Sequence, residues 1–201
     1  SDVYKRQTGW CDDKKMTDKI YIKAQDLLED SFRLAQHIRK DGFEPTFIVA
    51  LWRGGAPIGL AIQEYFAYHG VETDHILVRT QSYAGIENQS DQVVIYGINY
   101  LVKNLSAEDR ILIVDDVFDT GKTIDAIIED MKRQLKLNMP EDLRVAVPYF
   151  KPDRNKTERL PDYYLHVTDD WLIYPHSIEG LTPEELQMHK PKIFTVIKDH
   201  L

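Results

Sequence analysis

Cysteine is almost missing from this chain: Cys11 is the only one in 201 residues. No internal disulfide framework is therefore available, and a reducing compartment is expected. Long apolar runs are missing too, so no segment approaches the length needed to span a bilayer. Basic residues are outnumbered, 25 Lys and Arg against 33 Asp and Glu, for a net charge of −8. A broad nucleic-acid surface needs a basic face. That class of partner is disfavoured, while a local basic pocket is still allowed. The chain has no internal repeat and no low-complexity segment, and its opening "SDVYKRQTGWCDDKK" holds no hydrophobic signal region. The expectation is a soluble cytoplasmic protein with no membrane partner. Hydrophobic residues make up 43% of the chain, enough for a buried core, and the length suits one large domain.

Residues 1–15 show neither helical nor strand periodicity, and "MTDKIYIKAQ" from Met16 reads as a natural start. Residues 1–15 are expected to be a tail outside the fold, and 16–201 a single domain. Within that domain "KIYIKA" (19–24) alternates like a short strand. Leu27, Leu28, Ser31, Leu34, Ala35 and Ile38 then follow helical spacing up to a stop at Gly42. "TFIVALW" (46–52) and "RILIV" (110–114) are continuous apolar runs, the mark of strands buried on both faces. "RGGAP" reads as a turn and "IGLAIQEYFAYHG" as a helix closed by Gly70. "HILVRT" (75–80) and "VVIYG" (93–97) read as strands, with a long polar loop, "QSYAGIENQSDQ", between them. Ile124, Ile127, Ile128, Met131 and Leu135 form one helical stripe. "RVAVPYF" (144–150) and "YYLHV" (163–167) read as strands. The last twenty residues read as helix, opened by Thr182 as N-cap, Pro183 at the first position and Glu185 three beyond. Apolar strands alternating with amphipathic helices predict an α/β fold, an open and mostly parallel sheet covered on both faces. Ligands of such sheets bind outside the carboxyl ends of the strands.

Chemistry concentrates in "ILIVDDVFDTGKT" (111–123). A buried strand ends at Asp115 and a helix opens with "TIDAII". Between them the amides of Thr120, Gly121, Lys122 and Thr123 can face an anion at the helix N-terminus. Gly121 allows close backbone approach, and the hydroxyls of Thr120 and Thr123 add donors. "GKT" invites comparison with the nucleotide-binding P-loop, but that pattern needs a glycine where Asp116 stands. A plain helix start needs one acid for the dipole, not three. Asp115 and Asp116 call for something besides phosphate. A ribose diol donates well to carboxylates, and magnesium takes carboxylate oxygens. The stretch therefore predicts a ribose 5-phosphate ligand.

The same stretch resembles the PRPP-binding motif of type I phosphoribosyltransferases, and Asp119 is similar to the residue found in the members that act on 6-oxopurines. Further patches resemble that family in the same order: "VALWRGGAPIG" its pyrophosphate loop, "QSYAG" its mobile catalytic loop, "FKPDR" and "DDWLIYP" its base-binding segments. The resemblance covers roughly 19–180. It implies an open parallel sheet with a small hood from N- and C-terminal parts, and transfer of phosphoribosyl from PRPP to hypoxanthine, guanine or xanthine with release of pyrophosphate.

By the same resemblance, Thr120 to Thr123 would hold the 5′-phosphate. Asp115 would take the diol and Asp116 the magnesium cofactor, or the reverse. Arg53, Gly54 and Gly55 would hold pyrophosphate, joined by Ser82 and Tyr83. Asp119 would exchange a proton with N7 of the base as the catalytic acid and base. Lys151, a donor only, would favour a keto oxygen at position 6, Trp171 would stack on the base, and the Leu172 carbonyl would accept from a 2-amino group. A non-proline cis peptide is implied at Trp52–Arg53, and the expected assembly is a homodimer or homotetramer. Ile173 and Ser177 stand where family members often carry an acid, and Glu179 lies farther on. His176 is expected to pack at the rim, and no chemistry is assigned beyond Gly180. The alternative is a non-catalytic regulator of the same fold that senses PRPP or a nucleotide.

Overall fold

The computed structural model describes residues 19–83 and 92–198. The expected tail, 1–15, lies outside them. The elements run β1 (Lys19–Tyr21), α1 (Ala24–Lys40), β2 (Phe47–Trp52), α2 (Gly55–Tyr68), β3 (Asp74–Tyr83), β4 (Gln92–Tyr96), α3 (Ile98–Asn104), β5 (Arg110–Val114), β6 (Val117–Phe118), α4 (Lys122–Leu135), β7 (Asp142–Ala146), β8 (Tyr149–Phe150), β9 (His166–Val167), β10 (Trp171–Ile173), α5 (Pro183–His189) and α6 (Pro191–Ile197). The main sheet has the order β4-β3-β2-β5-β7, parallel except for the antiparallel edge strand β4.

Alternation along the central strands divides the core in two. Phe47, Val49 and Leu51 of β2, with Ile111 and Ile113 of β5, face Ile124, Ile127, Ile128, Met131 and Leu135 of α4. Ile48, Ala50, Leu112 and Val114 face the other way, onto Leu34, Ala35 and Ile38 of α1 and Ile58, Ile62 and Phe66 of α2. Each Val, Leu, Ile, Phe or Met among them contributes about 1.5–3 kcal/mol on burial, which accounts for unbroken apolar runs in strands covered on both faces. A second sheet, β6-β8-β9, carries the chain beyond the carboxyl edge. The hood forms where β1 pairs in parallel with β10. Glu185, in the Thr182 capping box of α5, also accepts from Lys19 at 2.5 Å, and the His189 ring stacks on Tyr21 at 3.7 Å.

Several local expectations change. α2 begins at Gly55, because Pro57 sits in its first turn, where its missing N–H costs nothing. The expected strand 144–150 breaks at Val147 and Pro148: Val147 donates to the Tyr163 carbonyl, Pro148 has no N–H to give, and the two halves join different sheets. Of 163–167 only His166–Val167 is strand. The loop expected over 81–92 is shorter, since β3 runs to Tyr83 and β4 starts at Gln92. The closing helix splits at Lys190, which precedes Pro191 and leaves the helical region with φ −136°. The short α3, with only Ile98 and Leu101 buried, spans too few residues to show a period.

Candidate active site

β2 and β5 lie side by side with Ala50 level with Val114. The residues just past each strand therefore meet at the carboxyl edge: Arg53 to Gly55 from one, Asp115 and Asp116 from the other. The approach is so close that a Cβ on Gly54 would collide with the Asp116 carboxylate, and one on Gly55 with the Val114 carbonyl. The Trp52–Arg53 peptide is cis, as the resemblance implied. Asp115 Oδ1 accepts from the Asp116 amide at 2.9 Å. Burial, and then the neighbouring Asp116, hold the Asp115 carboxyl well above the usual carboxylate range. Burial raises Asp116 as well, opposed by hydrogen bonds and by the nearby Arg53 guanidinium. Tyr174, buried at the end of β10, donates its hydroxyl to the Asp116 carbonyl at 2.8 Å.

Past the acid pair, β6 runs beside β8 with Phe118 level with Phe150. This brings Asp119 to Lys151, whose amide donates to the Phe118 carbonyl at 2.9 Å. The Lys151 side chain is buried and gives its ammonium to the Asp170 carbonyl at 2.6 Å. Burial lowers its pKa, opposed first by the Asp119 charge. Arg154, on the turn that follows Lys151, donates to Asp119 Oδ1 at 2.6 Å. Trp171 on β10 stays 55% exposed, leaving its ring available, while Leu172 is half-buried. Gly121 caps α4 with φ +75°, and a Cβ there would lie 2.5 Å from Thr157 Oγ1. Lys122 and Thr123 form the exposed first turn of α4, so its N-terminal amides open at the same edge as the acid pair.

Thus Arg53, Gly54, Gly55, Asp115, Asp116, Asp119, Gly121 and Lys151 converge around one edge of the sheet. Ser82 and Tyr83 belong to β3, paired with Val93 and Gln92 of β4, while Ala84 and Gly85 of the same motif lie outside the described residues. Sequence reasoning missed Arg154, Tyr174 and Lys190. Only Arg154 left a trace, as a cation three residues beyond Lys151. Glu179 reaches Arg53 at 3.5 Å with both side chains exposed, and His176 stacks on Tyr174 at 5.8 Å, a packing position as expected.

A family model described as the phosphoribosyl transferase domain matches residues 19–176. The chain belongs to this family. The architecture is that of type I phosphoribosyltransferases. A purine phosphoribosyltransferase from Pyrococcus horikoshii Ot3 is similar at 24% identity and TM-score 0.64, over 82% of this chain and 98% of its own. A hypothetical protein from Neisseria gonorrhoeae with bound ppGpp is similar at 18% identity and TM-score 0.66, over 88% and 98%. Hypoxanthine phosphoribosyltransferase from Trypanosoma cruzi, in complex with the product IMP, is similar at 17% identity and TM-score 0.61, over 85% and 94%. No curated protein sequence matches the chain. Among the described residues no helix is long and apolar enough to cross a membrane.

Proposed function

We propose that this phosphoribosyltransferase is a cytoplasmic purine salvage enzyme that moves phosphoribosyl from PRPP to a 6-oxopurine: hypoxanthine, guanine or xanthine. The observation that carries the reading is a buried Lys151 ammonium that feels the charge of Asp119, at the same edge of the sheet as the acid pair and the start of α4. A buried ammonium can only donate, so it selects a keto oxygen at position 6 over an amino group. Trp171 supplies a face for stacking and Leu172 a carbonyl for a 2-amino group. Thr120, Gly121, Lys122 and Thr123 hold the 5′-phosphate. Arg53 and the amides of Gly54 and Gly55 hold pyrophosphate, joined by Ser82 and Tyr83 of β3.

Asp115 and Asp116 are two carboxylates withdrawn from water, a donor set that suits a hard cation which also takes substrate oxygens. Magnesium bound at Asp116 would neutralise the leaving diphosphate, and Asp115 accepts from the ribose diol. In the transfer a purine ring nitrogen bonds to C1 as the C1–oxygen bond breaks. Pyrophosphate leaves with the bonding electrons, and Asp119 takes the proton released at N7. Fixed charges aimed at the developing ribose cation and the leaving group supply most of the rate. The protein works as a homo-oligomer, with the two small substrates as its other partners.

A second reading, a non-catalytic sensor of PRPP or a nucleotide, draws support from the ppGpp-bound neighbour. One assay separates the two: PRPP, magnesium and a panel of hypoxanthine, guanine, xanthine, adenine and uracil. The enzyme releases pyrophosphate with a 6-oxopurine. Ligand binding without release from any base refutes catalysis and leaves the sensor.

A further inference from the structure

Lys190 ends α5 far from any predicted site residue in the sequence, yet it is buried, with only 8% exposed. Its ammonium donates to three backbone carbonyls: Tyr174 at 2.5 Å, Ser177 at 2.7 Å and Pro175 at 3.1 Å. That uses every donor the group has. Lysine is seldom buried unless paired, and withdrawing an ammonium from water is costly unless its protons are all placed. Here burial lowers the pKa, and no carboxylate opposes it among the described residues. A methionine would fill the same space without that cost, so the position calls for the three donors. Their effect is to curl residues 174–177 into one conformation, reinforced by the Ser177 amide donating to the Tyr174 carbonyl at 3.0 Å.

The curl begins at Tyr174, whose hydroxyl reaches the Asp116 carbonyl at 2.8 Å. The path is short and continuous: Lys190 to the Tyr174 backbone, across a buried ring, to the turn that carries the acid pair. Glu179, just beyond the same curl, reaches Arg53 on the facing loop. We propose that Lys190 is a positioning residue, which fixes Tyr174 and through it the Asp115–Asp116 turn that receives the ribose of PRPP. The ribose part of this statement rests on the proposed function, whereas the mechanical link does not.

Two variants of the full chain test it. Lys190→Met keeps the apolar stem and removes the donors, and Tyr174→Phe removes only the hydroxyl. Hydrogen exchange of the ligand-free protein reads the link directly. Amides of the segment 111–123 should exchange about fivefold faster in either variant, the scale of one hydrogen bond, while α1 is unchanged. In steady state the KM for PRPP should rise by about fivefold in each, with the KM for the base moving less than about twofold, since Trp171 and Leu172 stay held by the pairing of β10 with β1. The double variant should be no worse than the more damaging single one, because both act on one path. Unchanged exchange over 111–123 in Tyr174→Phe overturns the proposal, even if Lys190→Met does not fold. Equal rises in both KM values, or additive effects, also overturn it. A wild type that transfers no phosphoribosyl group defeats the proposed function, and the exchange comparison still decides the link.

Discussion

Replacing Asp115 by Asn should make the empty protein more stable while destroying its use of PRPP. Folding withdraws the Asp115 carboxyl from water and sets it against Asp116, so its pKa is raised, with burial the larger cause. The folded chain therefore holds this proton more tightly than the unfolded chain does. Stability from this group is complete below the unfolded carboxylate value and falls as pH rises from there through the raised folded value. Above that window the native protein carries a cost that Asn does not, because Asn is neutral and its Oδ1 can keep the bond from the Asp116 amide. Relief of a functional-site charge of this kind is worth about 1–2 kcal/mol. For a chain of this size that is a rise in Tm of about 2–8 °C. Thermal melts of the ligand-free pair at pH 7.5 and again near pH 4 supply the test. The gain should be present at pH 7.5 and shrink at low pH, where the wild-type Asp115 carboxyl takes up its proton. Adding magnesium and PRPP at about a hundred times the dissociation constant should stabilise wild type by about 2.7 kcal/mol and the variant far less. A variant no more stable than wild type at pH 7.5, or a gap that does not depend on pH, would refute the account of the acid pair as an electrostatic cost carried for ligand binding.

Other substitutions separate the remaining roles. Asp119→Asn should lower kcat by about 10²–10⁴, the range of a lost acid–base group, with the KM for PRPP little changed. Near-normal turnover would remove Asp119 from the chemistry. Lys151→Met should cost about 10–100-fold in kcat/KM for hypoxanthine, as expected for a lost charged hydrogen bond of about 1.5–3 kcal/mol, and should narrow the preference over adenine in the five-base panel. Trp171→Ala removes a ring that is already 55% exposed. Its melting curve should stay within about 0.5 kcal/mol of wild type, while the KM for the base should rise roughly tenfold, the scale of one lost base stack.

Much of the fold was legible because one physical rule governs it. A strand covered on both faces must be apolar throughout, so "TFIVALW" and "RILIV" announced β2 and β5. The stripe from Ile124 to Leu135 announced α4 in the same way. The misread parts depend on interactions that periodicity does not encode. "RVAVPYF" is apolar after Arg144, yet Pro148 and the bond from Val147 to Tyr163 hand its second half to another sheet. The candidate site divides likewise. Asp115, Asp116, Asp119 and Gly121 sit in one stretch, where strand, turn and helix follow in sequence and their mutual placement can be read. Arg154, Tyr174 and Lys190 matter through partners at Asp119, Asp116 and Tyr174 that only tertiary folding supplies. A lysine at a helix end reads as a surface cation, and nothing local distinguishes it from one buried on three carbonyls.

The contact between Gly54 and Asp116 explains how acids can sit beside the proposed phosphate cradle. Asp116 occupies the space where any other residue at position 54 would carry its Cβ, so the two loops are one device built from adjacent strands. That packing keeps the Asp115–Asp116 pair out of water and turns it toward the edge where Arg53 stands. The α4 amides lie at the far end of the same turn, beyond Asp119, and Asp119 is already balanced by Arg154. Negative charge is therefore gathered at one place along the turn, with only the Arg53 guanidinium set against it, and positive potential is concentrated at two others. A simple phosphate anion satisfies only the second condition. A ligand with phosphate at one end, a diol and a cation in the middle and a diphosphate on the other side satisfies both, which is why the proposed donor, PRPP, matches the charge pattern of this edge better than an isolated nucleotide phosphate would.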